Sequence, residues 1–183
     1  VLALLTRFDG GAAARAAFTA ATNMTESFGA LAILLENGLG AAELAAFEAK
    51  WRDDRLVMDK WFAVQVAMAA PGAVADTVNR LTGRPDFDIR NPNRFRAVFG
   101  ALSGNHAGFH HESGAGYRLM ADWLIRLDAL NPQTAARMST AFETWPRYDA
   151  DRQAMMRGEL ARILASPGLS RDLSEMAGRM QAG

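Results

Sequence analysis

Asn91-Pro92-Asn93-Arg94-Phe95-Arg96 and Asn131-Pro132-Gln133-Thr134-Ala135-Ala136-Arg137 open with the same dipeptide, 40 positions apart. An asparagine side chain accepts hydrogen bonds from the free amides of a helix's first turn. Proline fits the first helical position because the amide it lacks has no partner there. Each dipeptide therefore predicts a helix start, and the stretch that follows each one is amphipathic. The interval is about the length of a two-helix repeat, so the pair predicts stacked helical hairpins.

Outward from these two segments, apolar residues recur at intervals of three or four. Examples are Phe28, Leu31 and Leu35; Val57, Trp61, Val64 and Met68; Phe95, Phe99 and Leu102; Tyr117, Met120, Leu124 and Leu127; Met156, Leu160 and Ile163. No comparable alternation of period two occurs, so the chain reads as all-α with about ten helices and no sheet. The long ones are predicted at 23–36, 41–52, 55–69, 73–82, 92–103, 114–129, 132–142, 150–165 and 170–181. Start signals agree: Asn23 with Glu26, Gly40 with Glu43, Asp149, and Ser170 with Asp172. Breaks fall at Asn37-Gly38, Pro71-Gly72, Gly104-Asn105, Ser113-Gly114 and Ser166-Pro167-Gly168, and Gly83–Arg90 is the longest loop candidate. Connections this short place neighbouring helices antiparallel, as in a bundle or solenoid. The four tryptophans and nine methionines read as filling between helices.

At 183 residues with no dividing linker, a single domain is expected over 1–183. Half the residues are hydrophobic, yet no apolar run reaches the roughly 20 residues of a membrane span, which predicts a soluble protein. Twenty basic residues balance twenty acidic ones, and eighteen of the basic residues are arginine. A balanced charge argues against nucleic acid as a partner. With no cysteine, disulfides, thiolate catalysis and thiolate metal sites are excluded. The opening Val1-Leu2-Ala3-Leu4-Leu5 has neither an initiating methionine nor the order of a signal peptide. It reads as the start of an excised piece of a longer polypeptide.

Chemistry-bearing motifs are sparse. A zinc helix of the peptidase type places two histidines one turn apart with a glutamate between them, so that both rings face the metal. Here His111-Glu112 is followed by Ser113, Gly114 and Ala115, and the second imidazole is missing. His106, His110 and His111 form the one histidine cluster. Positions 110 and 111 point to different faces of a helix, which disfavours shared metal or proton-transfer work. One of the three is expected to bond backbone near the loop and the others to be solvated. No phosphate loop or nucleophile elbow is present, and Ser103, Ser113, Ser139 and Ser170 read as loop or cap residues.

The segment from Asn91 to Gln153 resembles the C-terminal domain of the bacterial aminopeptidase N family of zinc aminopeptidases. Collinear similarity continues in Ala21–Thr25, in Trp51–Phe62 with its Leu56-Val57-Met58-Asp59-Lys60-Trp61 order, and in Leu169–Leu173. Departures are confined to loops: His106 where relatives often carry proline, Ala115 for a common serine, and Trp145-Pro146 for an apolar-basic pair. The resemblance implies an armadillo- or HEAT-like superhelix of antiparallel helix pairs. It also implies a non-catalytic domain that closes over a catalytic domain of the same polypeptide and walls a chamber for peptide substrates.

By that resemblance, zinc, the two-histidine motif and the Gly-Ala-Met-Glu-Asn motif that recognises a substrate's amine belong to a catalytic domain outside this chain. No cofactor is expected in the chain itself, and a cytoplasmic enzyme with no membrane partner is implied. The family's Asn-Pro-Gln-x-x-x-Arg segment faces the active site and is matched in full here. Gln133 would then border the pocket for the substrate's first side chain, and Arg137 would reach the peptide beyond it. Arg96 resembles a further chamber arginine. The competing expectation is a free-standing helical-repeat scaffold that binds a protein or peptide on its concave face.

Overall fold

The computed structural model describes residues 1–182 and divides into two compact units, Val1–Ala70 and Pro71–Gly183. All regular structure among the described residues is helical, in agreement with the missing period-two pattern.

The first unit holds α1 (Leu2–Asp9), α2 (Ala12–Ala20), α3 (Met24–Glu36), α4 (Ala41–Trp51) and α5 (Arg55–Ala67). Asp9 ties α1 to α2: its carboxylate accepts from the Gly11 and Ala13 amides at 2.8 and 2.9 Å, giving α2 the cap that Gly11 has no side chain to supply. Asn23 caps α3 by accepting from the Glu26 amide at 3.0 Å, and the Glu26 carboxylate reaches back to the Thr22 amide. Asp54 caps α5 through the amides of Leu56 and Val57. α2 and α4 pack mainly on α3 and α5, respectively. Leu31, Leu34, Phe47, Trp61 and Phe62 are buried there, each side chain contributing roughly 1.5–3 kcal/mol through removal from water. The Trp61 indole donates to the Leu44 carbonyl at 3.1 Å, so its one polar atom is satisfied.

The second unit begins with a 3₁₀ turn, Pro71–Ala73, followed by α6 (Val74–Thr82), α7 (Pro92–Gly104) and the single turn α8 (His106–Phe109). Next come α9 (Ala115–Asp128), α10 (Pro132–Ser139), two 3₁₀ turns at Thr140–Phe142 and Trp145–Arg147, α11 (Ala150–Leu164) and α12 (Arg171–Ala182). Both Asn-Pro dipeptides do what their chemistry dictates. Asn91 Oδ1 accepts from the amides of Asn93 and Arg94 at 3.1 and 3.3 Å, and Asn131 Oδ1 from Thr134 at 3.0 Å. α9 packs on α10 and α11, and α12 closes the group by packing on the same two helices. Phe95, Phe99, Leu102, Phe109, Tyr117, Met120, Phe142 and Leu160 are buried, with the Phe95 and Phe99 rings stacked at 4.4 Å.

Several expectations change in detail. α1 and α2 lie in a stretch where the apolar spacing predicted no long helix: α1 is only eight residues long, and in α2 Ala12–Ala17 offers small residues and no comb of large ones. The helix expected at 132–142 stops at Ser139 and tightens into a 3₁₀ turn. Ser139 is fully buried at the end of α10, where its hydroxyl donates to the Ala136 carbonyl at 2.7 Å and its backbone caps the next 3₁₀ turn, while Ser103 lies inside α7 and is neither a loop nor a cap residue. Of the tryptophans and methionines read as filling, only Trp61, Met58, Met120 and Met156 are fully buried, and the others sit half-buried at the margins. The segment between α6 and α7 is the loop foreseen at Gly83–Arg90. It is held by the buried Arg94, which donates to the Asp86 carbonyl at 2.9 Å.

Candidate functional site

Cap chemistry fixes where α10 begins, and the helical period then decides what it presents. Ala135 and Ala136 are buried, while Gln133 and Arg137, four positions apart, share the exposed face. Both line a depression of about 400 Å³ whose other wall is α12, through Asp172, Glu175, Met176 and Arg179. Arg137 also lines a second cavity of about 330 Å³ that contains Gly100 and Ser103 of α7, His106, Phe109 and His110, Met138, and the turn from Thr140 to Thr144. Among the described residues its guanidinium has no hydrogen-bond or ion-pair partner.

Arg96 is placed differently. Its Nε donates to the Pro92 carbonyl at 3.1 Å and its Nη2 to the Asn93 amide oxygen at 2.7 Å, so its fork is folded back on the start of α7. It is exposed and lines neither of the two depressions that Arg137 borders. The structure therefore brings Gln133 and Arg137 together and leaves Arg96 apart.

The histidines divide three ways. His106 is exposed. His111 sits in the turn before α9, its Nδ1 within 3.0 Å of the Ser113 hydroxyl and 3.3 Å of the Ser113 amide, which is the backbone contact expected of one histidine. His110 is not solvated: it is 9% exposed, with Tyr117 Oη 2.8 Å from Nδ1 and Tyr148 Oη 2.7 Å from Nε2. The Tyr148 ring stacks on it at 4.0 Å. Arg152 donates to the His110 carbonyl at 2.7 Å while paired with Asp149 at 2.7 Å. Burial, reinforced by the charges of His106 and Arg152, pushes the His110 pKa down from 6.5 to about 4. Burial pushes Tyr117 up to about 12, so its hydroxyl stays protonated.

With both ring nitrogens engaged, His110 has no lone pair left for a metal. No group of three or more His, Asp or Glu side chains has metal-holding geometry among the described residues. The trio ties the end of α8 to α9 and to the residue just ahead of the α11 cap. The sequence held no local signal for it, because Tyr117 and Tyr148 lie 7 and 38 positions away. Among the described residues no helix is long and apolar enough to cross a membrane.

The family model described as "Domain of unknown function (DUF3458_C) ARM repeats" matches residues 1–182. The aminopeptidase N of Caulobacter vibrioides is 42% identical over 165 residues, covering 88% of this chain and 19% of that protein. The aminopeptidase N of Escherichia coli is 38% identical over 161 residues, covering 86% and 18%. Among solved structures, aminopeptidase A of Legionella pneumophila in complex with aspartic acid matches with a TM-score of 0.91 at 33% identity, over 98% of this chain and 21% of that one. The chain thus spans about a fifth of the length of these relatives. The resemblance to the C-terminal domain of aminopeptidase N, read from the two Asn-Pro segments and the blocks around them, is borne out, as is an all-α repeat fold. The chain belongs to the DUF3458_C family of ARM-repeat domains.

Proposed function

We propose that residues 1–183 form a single C-terminal, non-catalytic domain of a zinc-dependent aminopeptidase N that removes N-terminal amino acids from peptides. In this reading the domain walls the substrate chamber and restricts which peptides reach the catalytic centre. One observation carries it: Gln133 and Arg137 share the exposed face of α10 and line one depression, and Arg137 has no partner of its own among the described residues. A planar fork of donors left uncommitted on a concave surface is suited to peptide carbonyls and carboxylates. Arg96 has to release Asn93 before it can serve a peptide in the same way.

Zinc and the water-activating glutamate belong, in this reading, to the catalytic domain of the same polypeptide, which is the first partner of this one. Peptides are the second partner, and nucleic acid and membranes have no part. The exposed Leu4, Leu5 and Phe8 of α1, with Phe8 82% accessible, support a face that the remainder of the polypeptide covers. A cytoplasmic location follows from the same kinship. A free-standing scaffold leaves the match to aminopeptidase N unused.

The test is kinetic. In the whole polypeptide, Arg137→Ala lowers kcat/KM for several peptides by about tenfold, the worth of one charge-assisted hydrogen bond, with zinc content unchanged by elemental analysis. Identical kinetics across all peptides would remove the chamber role. Hydrolysis of aminoacyl-naphthylamides that survives chelation would remove the zinc aminopeptidase.

A further inference from the structure

We propose that the cavity between α7, α8, α10 and the Thr140–Thr144 turn is a carboxylate site that takes the C-terminus of a bound peptide, with Arg137 and His106 as its two anchors. The inference rests on the reading of the domain as a peptide chamber and names which part of the peptide this cavity holds.

The lining has one sign of charge. Arg137 contributes a guanidinium and His106 an imidazole, and no aspartate or glutamate lines the cavity. The neighbouring depression between α10 and α12 contrasts with it, since Asp172 and Glu175 stand there beside Arg137 and Arg179. An anion is therefore favoured on the α8 side of Arg137 over the α12 side, where Asp172 and Glu175 offset the two arginines.

The other polar groups are largely committed. The Ser103 hydroxyl donates to the Gly100 carbonyl at 3.1 Å and the Thr140 hydroxyl to the Arg137 carbonyl at 2.8 Å. Both ring nitrogens of His110 are held by tyrosines. Donors for an incoming oxygen thus come from Arg137 and His106, with the Thr144 hydroxyl beside them, and none of these three side chains has a hydrogen bond or ion pair among the described residues. A guanidinium engages both oxygens of a carboxylate at once, and the imidazole can donate to one of them from the side.

Around those anchors the surface is apolar, formed by Phe109, Met138 and Ala141. The volume of about 330 Å³ lies at the small end of ligand sites, so the cavity takes a terminal residue and not a long segment. The chemistry it recognises is an apolar side chain next to a free carboxylate. That combination describes a peptide ending in Leu, Met or Phe.

Binding to the 183-residue chain tests this without recourse to turnover. The tripeptide Gly-Ala-Phe, its C-terminal amide, and Gly-Ala-Asp amide, whose carboxylate is on a side chain, are titrated while backbone amide resonances are followed. The free acid is expected to bind about fivefold or more tightly than its amide and to shift the signals of His106–Phe109 and Arg137–Ala141. That preference disappears in Arg137→Gln and shrinks in His106→Ala. Both side chains are exposed, so these variants keep the fold.

Equal binding of acid and amide, shifts confined to other helices, or no binding of either peptide would overturn the proposal. Binding of Gly-Ala-Asp amide as tight as that of the free acid would reassign the site to acidic side chains and overturn the terminus assignment. If Arg137→Ala lowers turnover in the whole polypeptide while acid and amide bind the chain equally, this inference alone fails and the chamber reading stands.

Discussion

Asp128, at the end of α9, holds Ser170 at the start of α12 with both carboxylate oxygens: Oδ2 accepts from the Ser170 amide at 2.7 Å and Oδ1 from its hydroxyl at 2.5 Å. Ser170 Oγ in turn accepts from the Leu173 amide at 3.2 Å, so one buried carboxylate, 4% exposed, orders the whole N-terminus of α12. Hydrogen bonds to a charged group contribute about 1.5–3 kcal/mol each and are not additive when they share an acceptor. Asp128→Ala is therefore expected to lower the unfolding free energy by about 3 kcal/mol in urea denaturation, and Ser170→Ala by about 1 kcal/mol, because the amide bond survives. Equal losses would mean that the hydroxyl alone carries the contact. α12 supplies Asp172, Glu175 and Arg179 to the depression beside Arg137, so this clamp also sets one wall of the proposed chamber.

His110 makes the fold sensitive to acid. A neutral imidazole has one donor and one acceptor, so Tyr117 and Tyr148 take opposite roles across it. Its pKa falls from 6.5 to about 4 on folding, with burial as the main cause. Between those values the unfolded chain binds more protons than the folded one, so stability rises with pH across that window. The contribution is complete above 6.5 and is lost as pH falls toward 4, with a slope of at most about 1.4 kcal/mol per pH unit. A series of thermal midpoints from pH 7 down to 4 should show this slope, and His110→Phe should flatten it at the cost of lower stability at neutral pH. A wild-type profile as flat as the variant's would mean that His110 does not control it.

What the sequence made legible was local. Asn23, Asn91, Asn131 and Asp149 act within three residues of themselves, so a reader of the chain sees both the cap and the amides it serves. The exposed pairing of Gln133 with Arg137 follows from the helical period alone. α2 escaped because alanine forms helices without a comb of large apolar residues, and α1 because its eight residues are too few to show a sustained period. The His110 lock and the Asp128 clamp escaped for another reason: their partners lie as far as 38 and 42 positions away. Only packing brings such groups together, and no spacing rule encodes the distance. Trp145 is a case of partial legibility. The sequence marks it as a large apolar residue, whereas its indole also donates to the Met180 carbonyl at 2.8 Å and fastens the end of α12.

Gly116 marks the closest approach of a glycine to neighbouring backbone in the second unit. A Cβ there would stand 2.7 Å from the Phe109 carbonyl oxygen and 2.9 Å from the Phe109 Cα, both backbone atoms of α8 that have no rotamer in which to yield. Two residues earlier, Gly114 adopts a φ of 65°, and a Cβ on it would meet chiefly the Met155 sulfur at 2.6 Å, the far part of a flexible side chain. Gly114→Ala is expected to cost about 1 kcal/mol, the penalty of a left-handed backbone for an L-residue, while the methionine moves aside. Gly116→Ala is expected to cost about 3 kcal/mol, because relief requires α8 to shift as a body. That shift would carry His110 off Tyr117 and move His106 relative to Arg137, so the variant should lose the acid-dependent slope together with its stability. Thermal unfolding of the two variants across pH checks both parts. A larger loss in Gly114→Ala than in Gly116→Ala would show that backbone conformation, and not the approach of α8 to α9, governs this junction.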